Sequence, residues 1–171
     1  RAEELRYKGR MRVLVLRHGQ AVDSFEALTD EQRWLTPTGR ARVARMADVL
    51  VAEGWAPRVI FTSPLVRAVQ TAEILAAASP RLERVEVNVA LAPERGTTAQ
   101  ALACLDELDK NDTVALVSHE PKVRVLTGHL AQLAHLPIFA PGAATLVDLR
   151  VEPPRAVMIE PTNFARFDLR R

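Results

Sequence analysis

The sequence predicts an α/β domain of three layers, in which helices cover both faces of a mostly parallel central sheet. Two observations support this prediction. Short apolar runs rich in β-forming residues recur along the chain, and segments with helical periodicity separate them. Strands that alternate with helices in this way are typical of parallel sheets, because the connection between two parallel strands is usually a helix.

Six strands are expected, of which the first is the most apolar. They are predicted at residues 12–16, 58–62, 85–87, 113–117, 144–150 and 156–159. The first strand contains four consecutive apolar residues, Val13–Leu16, a pattern typical of a strand buried on both faces. Helices are predicted to begin at Thr36-Pro37, at Ser63-Pro64, near Thr98 and after Pro121, each followed by an apolar stripe.

Length and composition predict one domain with no membrane or nucleic-acid partner. Residues 11–171 are interpreted as the domain, and residues 1–10, which precede Met11, as an N-terminal extension or a remnant of cloning. The net charge of +2 gives no general reason to expect nucleic acid or a membrane surface as a partner. The apolar runs are too short to cross a membrane, and the sequence shows no signal-peptide pattern. Because the one cysteine, Cys104, cannot form an intrachain disulfide, the expected location is the cytoplasm.

Three of the predicted strands end in polar residues that could bind an anion. These junctions are Arg17-His18-Gly19, Ser63-Pro64-Leu65-Val66-Arg67 and Ser118-His119-Glu120-Pro121. The carboxyl ends of parallel strands form the edge at which α/β sheets bind ligands. Arg67, Lys122 and Arg124 each fall in the first turn of a predicted helix, where a cation is unfavourable unless an anion lies nearby. The sequence therefore predicts an oxyanion or phosphate pocket at this edge.

A metal site is the competing use of His18 and His119, and it is not expected. The other two histidines, His129 and His135, are spaced too far apart to share a helix face. The sequence contains no HExxH motif and no second cysteine. Arginines beside the imidazoles would also repel a cation.

Four ordered motifs resemble those of the histidine phosphatase superfamily. They are Leu16–Ala21, Leu35–Arg40, Ser63–Ala72 and Val117–Pro121. Their order and spacing are similar to those of the compact SixA branch, the phosphohistidine phosphatases, and the resemblance runs from Met11 to about Ile159. The larger phosphoglycerate mutases have a threonine or serine where this chain has Ala21, and they carry insertions for which this chain is too short. The resemblance implies the phosphoglycerate mutase-like fold.

The resemblance also implies a phosphatase that needs neither a metal nor a cofactor. His18 would attack phosphorus as a neutral imidazole and form a phosphohistidine intermediate that water then hydrolyses. Its other ring nitrogen would donate to a backbone carbonyl that fixes the tautomer. The phosphoryl oxygens would be held by Arg17, Arg67 and His119, with weaker contributions from Gln20 at the rim and Ser63 at a helix cap.

The general acid is the least defined member of this set. Superfamily enzymes that cleave phosphoesters usually have a carboxylate that protonates the leaving oxygen, whereas members of the SixA branch often lack it. Glu94 is the first candidate and Glu120 the second, while the competing interpretation of Glu94 is a solvated carboxylate beside Arg95. The expected substrate is phosphohistidine in a protein. Two alternatives remain open: a small phosphoester or nucleotide as substrate, and a catalytically inactive module that binds phosphate or a partner.

Overall fold

A seven-stranded sheet forms the centre of the fold. The computed structural model describes residues 11–109 and 111–171, so the expected extension at residues 1–10 lies outside the described residues. The strands are β1 (Arg12–Arg17), β2 (Val59–Thr62), β3 (Arg84–Val87), β4 (Thr113–Ser118), β5 (Ala144–Asp148), β6 (Arg155–Ile159) and β7 (Arg166–Asp168). The α-helices are α1 (Pro37–Ala52), α2 (Val66–Ala78), α3 (Thr98–Leu102) and α4 (Lys122–Ala131). Short 3-10 helices cover Asp30–Gln32, Val89–Leu91 and Ala103–Glu107.

The strand order is β3-β2-β4-β1-β5-β6-β7, and it places β1 near the middle of the sheet. The pairs β3–β2, β2–β4 and β4–β1 are parallel, whereas the pairs β1–β5, β5–β6 and β6–β7 are antiparallel. The α/β class is therefore confirmed, and the sheet is mixed because its second half is built from antiparallel neighbours. β7 was not predicted from the sequence, because its three residues Arg166-Phe167-Asp168 show no apolar alternation.

Both faces of the sheet are covered by helices, as the sequence predicts. Leu14 and Leu16 of β1 pack into a core formed with α1 and α2. Val13 and Val15 point to the opposite face and pack into a second core, to which α4 contributes Val123. Because side chains alternate along a strand, this double burial explains why β1 reads as a continuous apolar run.

The parallel half of the sheet sets the position of the site. β1 and β4 pair in parallel with Arg17 opposite Ser118, and β2 lies on the other side of β4. The three polar junctions noted in the sequence therefore emerge at one edge of the sheet, at the carboxyl ends of adjacent strands. No helix in the part of the chain that the structure describes is long and apolar enough to cross a membrane.

Candidate active site

His18 and His119 leave the sheet side by side. Since Arg17 pairs with Ser118, the next residue of each strand emerges at the same level, and the His18 amide donates to the Ser118 carbonyl at 3.0 Å. The two imidazole centroids are 4.9 Å apart, with an interplanar angle of 55°. Both side chains are buried, His119 more completely than His18.

The geometry of His18 selects one tautomer. Nδ1 lies 2.7 Å from the Gly19 carbonyl oxygen, which can only accept, so Nδ1 carries the proton. Nε2 is then left with its lone pair. Burial, together with the neighbouring guanidinium groups of Arg67 and Arg17, lowers the pKa of His18 to about 3, against the opposing effect of the Gly19 hydrogen bond. His18 is therefore neutral near pH 7, the protonation state that a nucleophile requires.

Arg67 approaches His18 from the first turn of α2 and is itself buried. Its Nε donates to His18 Nε2 at 3.3 Å. Its Nη1 donates to the Asp30 carbonyl oxygen at 2.6 Å, and its Nη2 donates to Asp30 Oδ2 at 2.9 Å. One turn further along α2, Thr71 Oγ1 donates to the Arg67 carbonyl and accepts from the Gly19 amide at 3.0 Å. Helix α2 is thereby joined to the turn that carries His18.

Arg17 reaches the same pocket from the end of β1. Its Nη1 donates to the Phe139 carbonyl oxygen at 2.5 Å, and its buried Nε has no hydrogen-bond partner among the described residues. The pKa of Arg17 is lowered by burial and by Arg67, while the nearby Glu120 carboxylate opposes that change. Glu120 in turn accepts from the Phe139 amide at 2.7 Å and lies 3.5 Å from Arg124 Nε.

His119 is paired with the buried hydroxyl of Ser63. His119 Nε2 lies 2.7 Å from Ser63 Oγ, and Ser63 Oγ also accepts from the Leu65 amide at 3.3 Å. Because the Ser63 hydroxyl accepts from the Leu65 amide, its own proton is available to donate to His119 Nε2. Nε2 then acts as an acceptor, and the proton of the neutral imidazole is on Nδ1. That Nδ1 is buried and has no partner within the described residues. Burial lowers the pKa of His119 to about 2, with smaller contributions from His18, which is positively charged once acid protonates it, and from Arg67.

Gln20 and Glu94, two weaker candidates, make no hydrogen bond to the histidine pair within the residues that the structure describes. The Gln20 side chain faces Thr36 at the start of α1, with Thr36 Oγ1 3.4 Å from Gln20 Oε1. Glu94 is exposed, has a positive φ of 55°, and has no hydrogen-bond or ion-pair partner in residues 11–109 and 111–171. The loop around Glu94 is nevertheless fixed, because Lys122 Nζ donates to the carbonyls of Ala90, Ala92 and Arg95.

The basic residues at the start of α4 do not join the pocket as the sequence analysis expects. Lys122 binds the three loop carbonyls, and burial lowers its pKa. Arg124 lies against Glu120 one turn earlier. Backbone carbonyls and a carboxylate, rather than a bound anion, therefore account for these two cations at a helix N-terminus.

Within the described part of the chain, no three His, Cys, Asp or Glu side chains form a cluster that could bind a metal ion.

A cavity of about 440 Å³ lined by His129 and His135 lies on α4 and the segment after it, and includes none of the residues around His18. A smaller groove of about 220 Å³ lies beside the pocket. It is lined by Glu31, Pro64, Leu65, Val89 and Arg95.

Sequence analysis missed three residues that organise the pocket. Asp30 lies in a polar, irregular segment, and Phe139 acts through its backbone carbonyl, which no sequence pattern reveals. Thr71 could have been found, since it follows Arg67 by four residues and therefore lies on the same helix face.

Comparisons with known proteins agree with this geometry. A family model described as the histidine phosphatase superfamily (branch 1) matches residues 13–92. An uncharacterized protein of Picosynechococcus is 40% identical over 113 residues, which cover 65% of this chain and 67% of the relative. Among solved structures, the protein histidine phosphatase SixA complexed with tungstate is similar with a TM-score of 0.78 and 26% identity, covering 91% of this chain and 100% of that chain. A mycobacterial glucosyl-3-phosphoglycerate phosphatase has the same fold, with a TM-score of 0.62 and 21% identity over 81% of this chain and 91% of its own.

The chain belongs to the histidine phosphatase superfamily. Its structural neighbours include SixA phosphohistidine phosphatases as well as a phosphatase named for a small phosphoester. These relationships support phosphatase activity, the hydrolytic removal of a phosphoryl group.

Proposed function

We propose that this chain is a metal-independent phosphatase that transfers a phosphoryl group to Nε2 of His18 and then to water. One observation carries the proposal. The Nδ1–H of His18 is bound to the Gly19 carbonyl, so the lone pair on Nε2 faces Arg67 Nε in a buried pocket. A neutral imidazole next to guanidinium donors is the arrangement that nucleophilic attack on a phosphoryl group requires.

In the first step, Nε2 forms a bond to phosphorus while the bond from phosphorus to the leaving group breaks. Arg67 Nε–H turns from His18 to a phosphoryl oxygen, and Arg17 and the Nδ1–H of His119 bind other phosphoryl oxygens. These charged and polar donors stabilise the oxygens as the loose transition state forms. Ser63 acts through His119 by holding the tautomer that leaves Nδ1 as a donor.

In the second step, water attacks phosphorus and the bond to Nε2 breaks. The Nε2-phosphorylated ring still carries the Nδ1 proton bound to Gly19, so it is cationic and leaves as a neutral imidazole. The proton released by water remains on the phosphate product. No residue of the pocket needs a permanent change of protonation over the cycle.

We further propose that the natural substrate is phosphohistidine in a protein, and that the enzyme acts in the cytoplasm. The ring of histidine takes up a proton with a pKa near 6.5, so a phosphohistidine ring can already carry the proton with which it leaves as neutral imidazole, whereas an alkoxide requires a general acid. Glu94 is exposed and lacks contacts that would hold it over the pocket. The similarity to a protein histidine phosphatase over 91% of this chain supports the same substrate class.

The test is capture of the covalent intermediate from a ³²P-labelled phosphohistidine protein. We expect rapid-quench samples of the wild type to carry label that acid removes and alkali does not, and His18→Ala to carry none. His129→Ala, which changes an exposed histidine outside the pocket, is the matched control and should label like the wild type.

Two results would overturn the proposal. An unlabelled wild-type enzyme that binds phosphate without turnover would favour the inactive binding module. Loss of activity in EDTA that zinc restores would exclude the metal-independent mechanism.

A further inference from the structure

Asp30 holds the Arg67 guanidinium by two of its nitrogens. The backbone carbonyl of Asp30 accepts from Nη1 at 2.6 Å, and its carboxylate accepts from Nη2 at 2.9 Å. The Arg67 side chain is only 6% exposed, whereas that of Asp30 is 56% exposed. An exposed residue therefore binds a guanidinium that is buried in the pocket.

The two contacts occupy one edge of the guanidinium and leave a second edge unoccupied by Asp30. A guanidinium offers parallel N–H bonds along its Nη1–Nη2 edge and along its Nε–Nη2 edge. Asp30 takes the Nη1–Nη2 edge, and the Nε–Nη2 edge faces His18, with Nε 3.3 Å from the ring Nε2. Once the Nε–H turns from His18, this second edge can receive two phosphoryl oxygens at the point where phosphorus would be attacked.

Asp30 is itself fixed by its own loop. Arg33 Nη1 donates to Asp30 Oδ1 at 2.9 Å, and Arg33 Nε donates to the Val22 carbonyl at 2.7 Å. The loop is closed at its base, where the Val22 amide donates to the Trp34 carbonyl at 2.9 Å. Arg33 and Arg67 together lower the pKa of Asp30, so its carboxylate is ionised near pH 7.

We propose that Asp30 is a positioning residue for phosphoryl transfer, which orients Arg67 so that its Nε–Nη2 edge faces the attacking nitrogen of His18. This inference rests on the proposed function. An arginine side chain is long and rich in rotamers, and Arg67 shares the pocket with the like-charged Arg17. Without the Asp30 carboxylate, Arg67 would be held on that edge only by a backbone carbonyl, and the phosphoryl oxygens would have to order it themselves.

A competing role for Asp30, occupation of the phosphate position, predicts the opposite effect of its removal on oxyanion binding. If Asp30 merely occupied the phosphate position on Arg67, its removal would strengthen the binding of an oxyanion. If Asp30 orients Arg67, its removal weakens oxyanion binding and slows the chemical step, because misplacement of a catalytic group by about 1 Å can cost about 10²-fold in rate.

The experiment measures two quantities on the full chain: the Kd for tungstate, and the single-turnover rate of His18 phosphorylation by an aryl phosphate. We expect Asp30→Ala to raise the Kd about 10-fold and to slow phosphorylation about 10- to 100-fold. Asp30→Asn, which keeps one side-chain oxygen, should fall between Asp30→Ala and the wild type. Glu31→Ala is the matched control, since Glu31 lies in the same 3-10 helix and faces Arg95 at 3.8 Å rather than Arg67. It should stay within about twofold of the wild type.

A double-mutant cycle separates orientation of Arg67 from a general effect on the loop. In an Arg67→Ala background, Asp30→Ala should cause no further loss, because the residue it positions is already absent. An additional loss in that background, unchanged values for Asp30→Ala, or tighter tungstate binding would each overturn the proposal. If Asp30→Ala does not fold, Asp30→Asn is tested by the same cycle. A wild type that never labels His18 would instead refute the proposed function, whatever Asp30 does.

Discussion

The imidazole rings of His18 and His119 lie 4.9 Å apart, and neither ring is protonated near pH 7. Both rings are buried beside guanidinium groups, which makes protonation of either ring unfavourable. The pocket therefore combines two permanent cations, Arg17 and Arg67, with two neutral imidazoles. Such a pocket attracts a phosphoryl group while it keeps the nucleophile unprotonated.

Acid should destabilise the fold through these histidines. Their folded pKa values, about 3 for His18 and about 2 for His119, lie below the value of about 6.5 expected in the unfolded chain. The unfolded state thus binds more protons below about pH 6.5, so stability is fully present above that pH and is lost as the pH falls. Urea unfolding at pH 7.5, 6, 5 and 4.5 should show a falling free energy of unfolding.

The histidine contribution can be isolated with one variant. Carboxylates have reference pKa values of about 3.9 for Asp and about 4.3 for Glu, so the range from about pH 5 to about pH 6.5 reports mainly on histidine. His119→Gln should flatten the pH dependence in this range, whereas His129→Gln, which changes an exposed ring, should leave it unchanged. Equal slopes in the wild type and His119→Gln would contradict the assigned burial of neutral His119.

Arg67→Ala should retain the nucleophile but slow its phosphorylation. Loss of one charged donor to the transition state typically costs about 10²- to 10³-fold in rate. The intermediate should still form on His18, only slowly, as measured by rapid quench with labelled substrate. Arg81→Ala removes an exposed arginine elsewhere and should label at the wild-type rate. A normal rate for Arg67→Ala would remove Arg67 from the mechanism.

The role of Glu94 can be tested with leaving groups of different basicity. We expect Glu94→Gln to leave hydrolysis of a phosphohistidine protein nearly unchanged, because the substrate's ring can take up its own proton and leave as neutral imidazole. Hydrolysis of an alkyl phosphate should already be slow in the wild type, and any contribution from Glu94 would appear there, worth up to about 10²- to 10⁴-fold. Glu73→Gln, an exposed carboxylate on α2, is the control.

The reverse substrate preference would change the assignment. If the wild type prefers the alkyl ester and Glu94→Gln removes that activity, Glu94 is a general acid. The substrate would then be a small phosphoester rather than a phosphoprotein.

Gly39→Ala should destabilise the turn that carries His18. A Cβ on Gly39 would lie 2.1 Å from the Gln20 carbonyl oxygen, a backbone atom that cannot rotate away. We expect the free energy of unfolding in urea to fall by about 2–3 kcal/mol or more. Arg40→Ala, at the next and exposed position of α1, should change it by no more than about 0.5 kcal/mol. Equal stability of Gly39→Ala and the wild type would show that α1 can shift freely.

The sequence was sufficient to predict that the three polar junctions, with His18, Arg67 and His119, meet at one edge of the sheet, although Gln20, Glu94, Lys122 and Arg124 do not join them. A buried run such as Val13–Leu16 defines a strand by itself, and the polar residues that follow three such strands must emerge together in a parallel sheet. The orientation of those residues could not be predicted. Asp30 binds a partner 37 residues away, and Phe139 binds Arg17 through a carbonyl 122 residues away. Such contacts depend on loop conformations for which neither apolar periodicity nor side-chain identity gives a rule.

The place of β1 in the sheet also constrains how the protein can be made. β1 is synthesised before the other described strands, yet its two neighbours, β4 and β5, come from the second half of the given sequence. Until both have left the ribosome, the apolar strand beginning at Arg12 keeps at least one unpaired edge, a condition that favours association between nascent chains. The pocket consequently cannot assemble progressively during translation. Its nucleophile is translated early but gains its final geometry only when nearly the whole sheet closes around it.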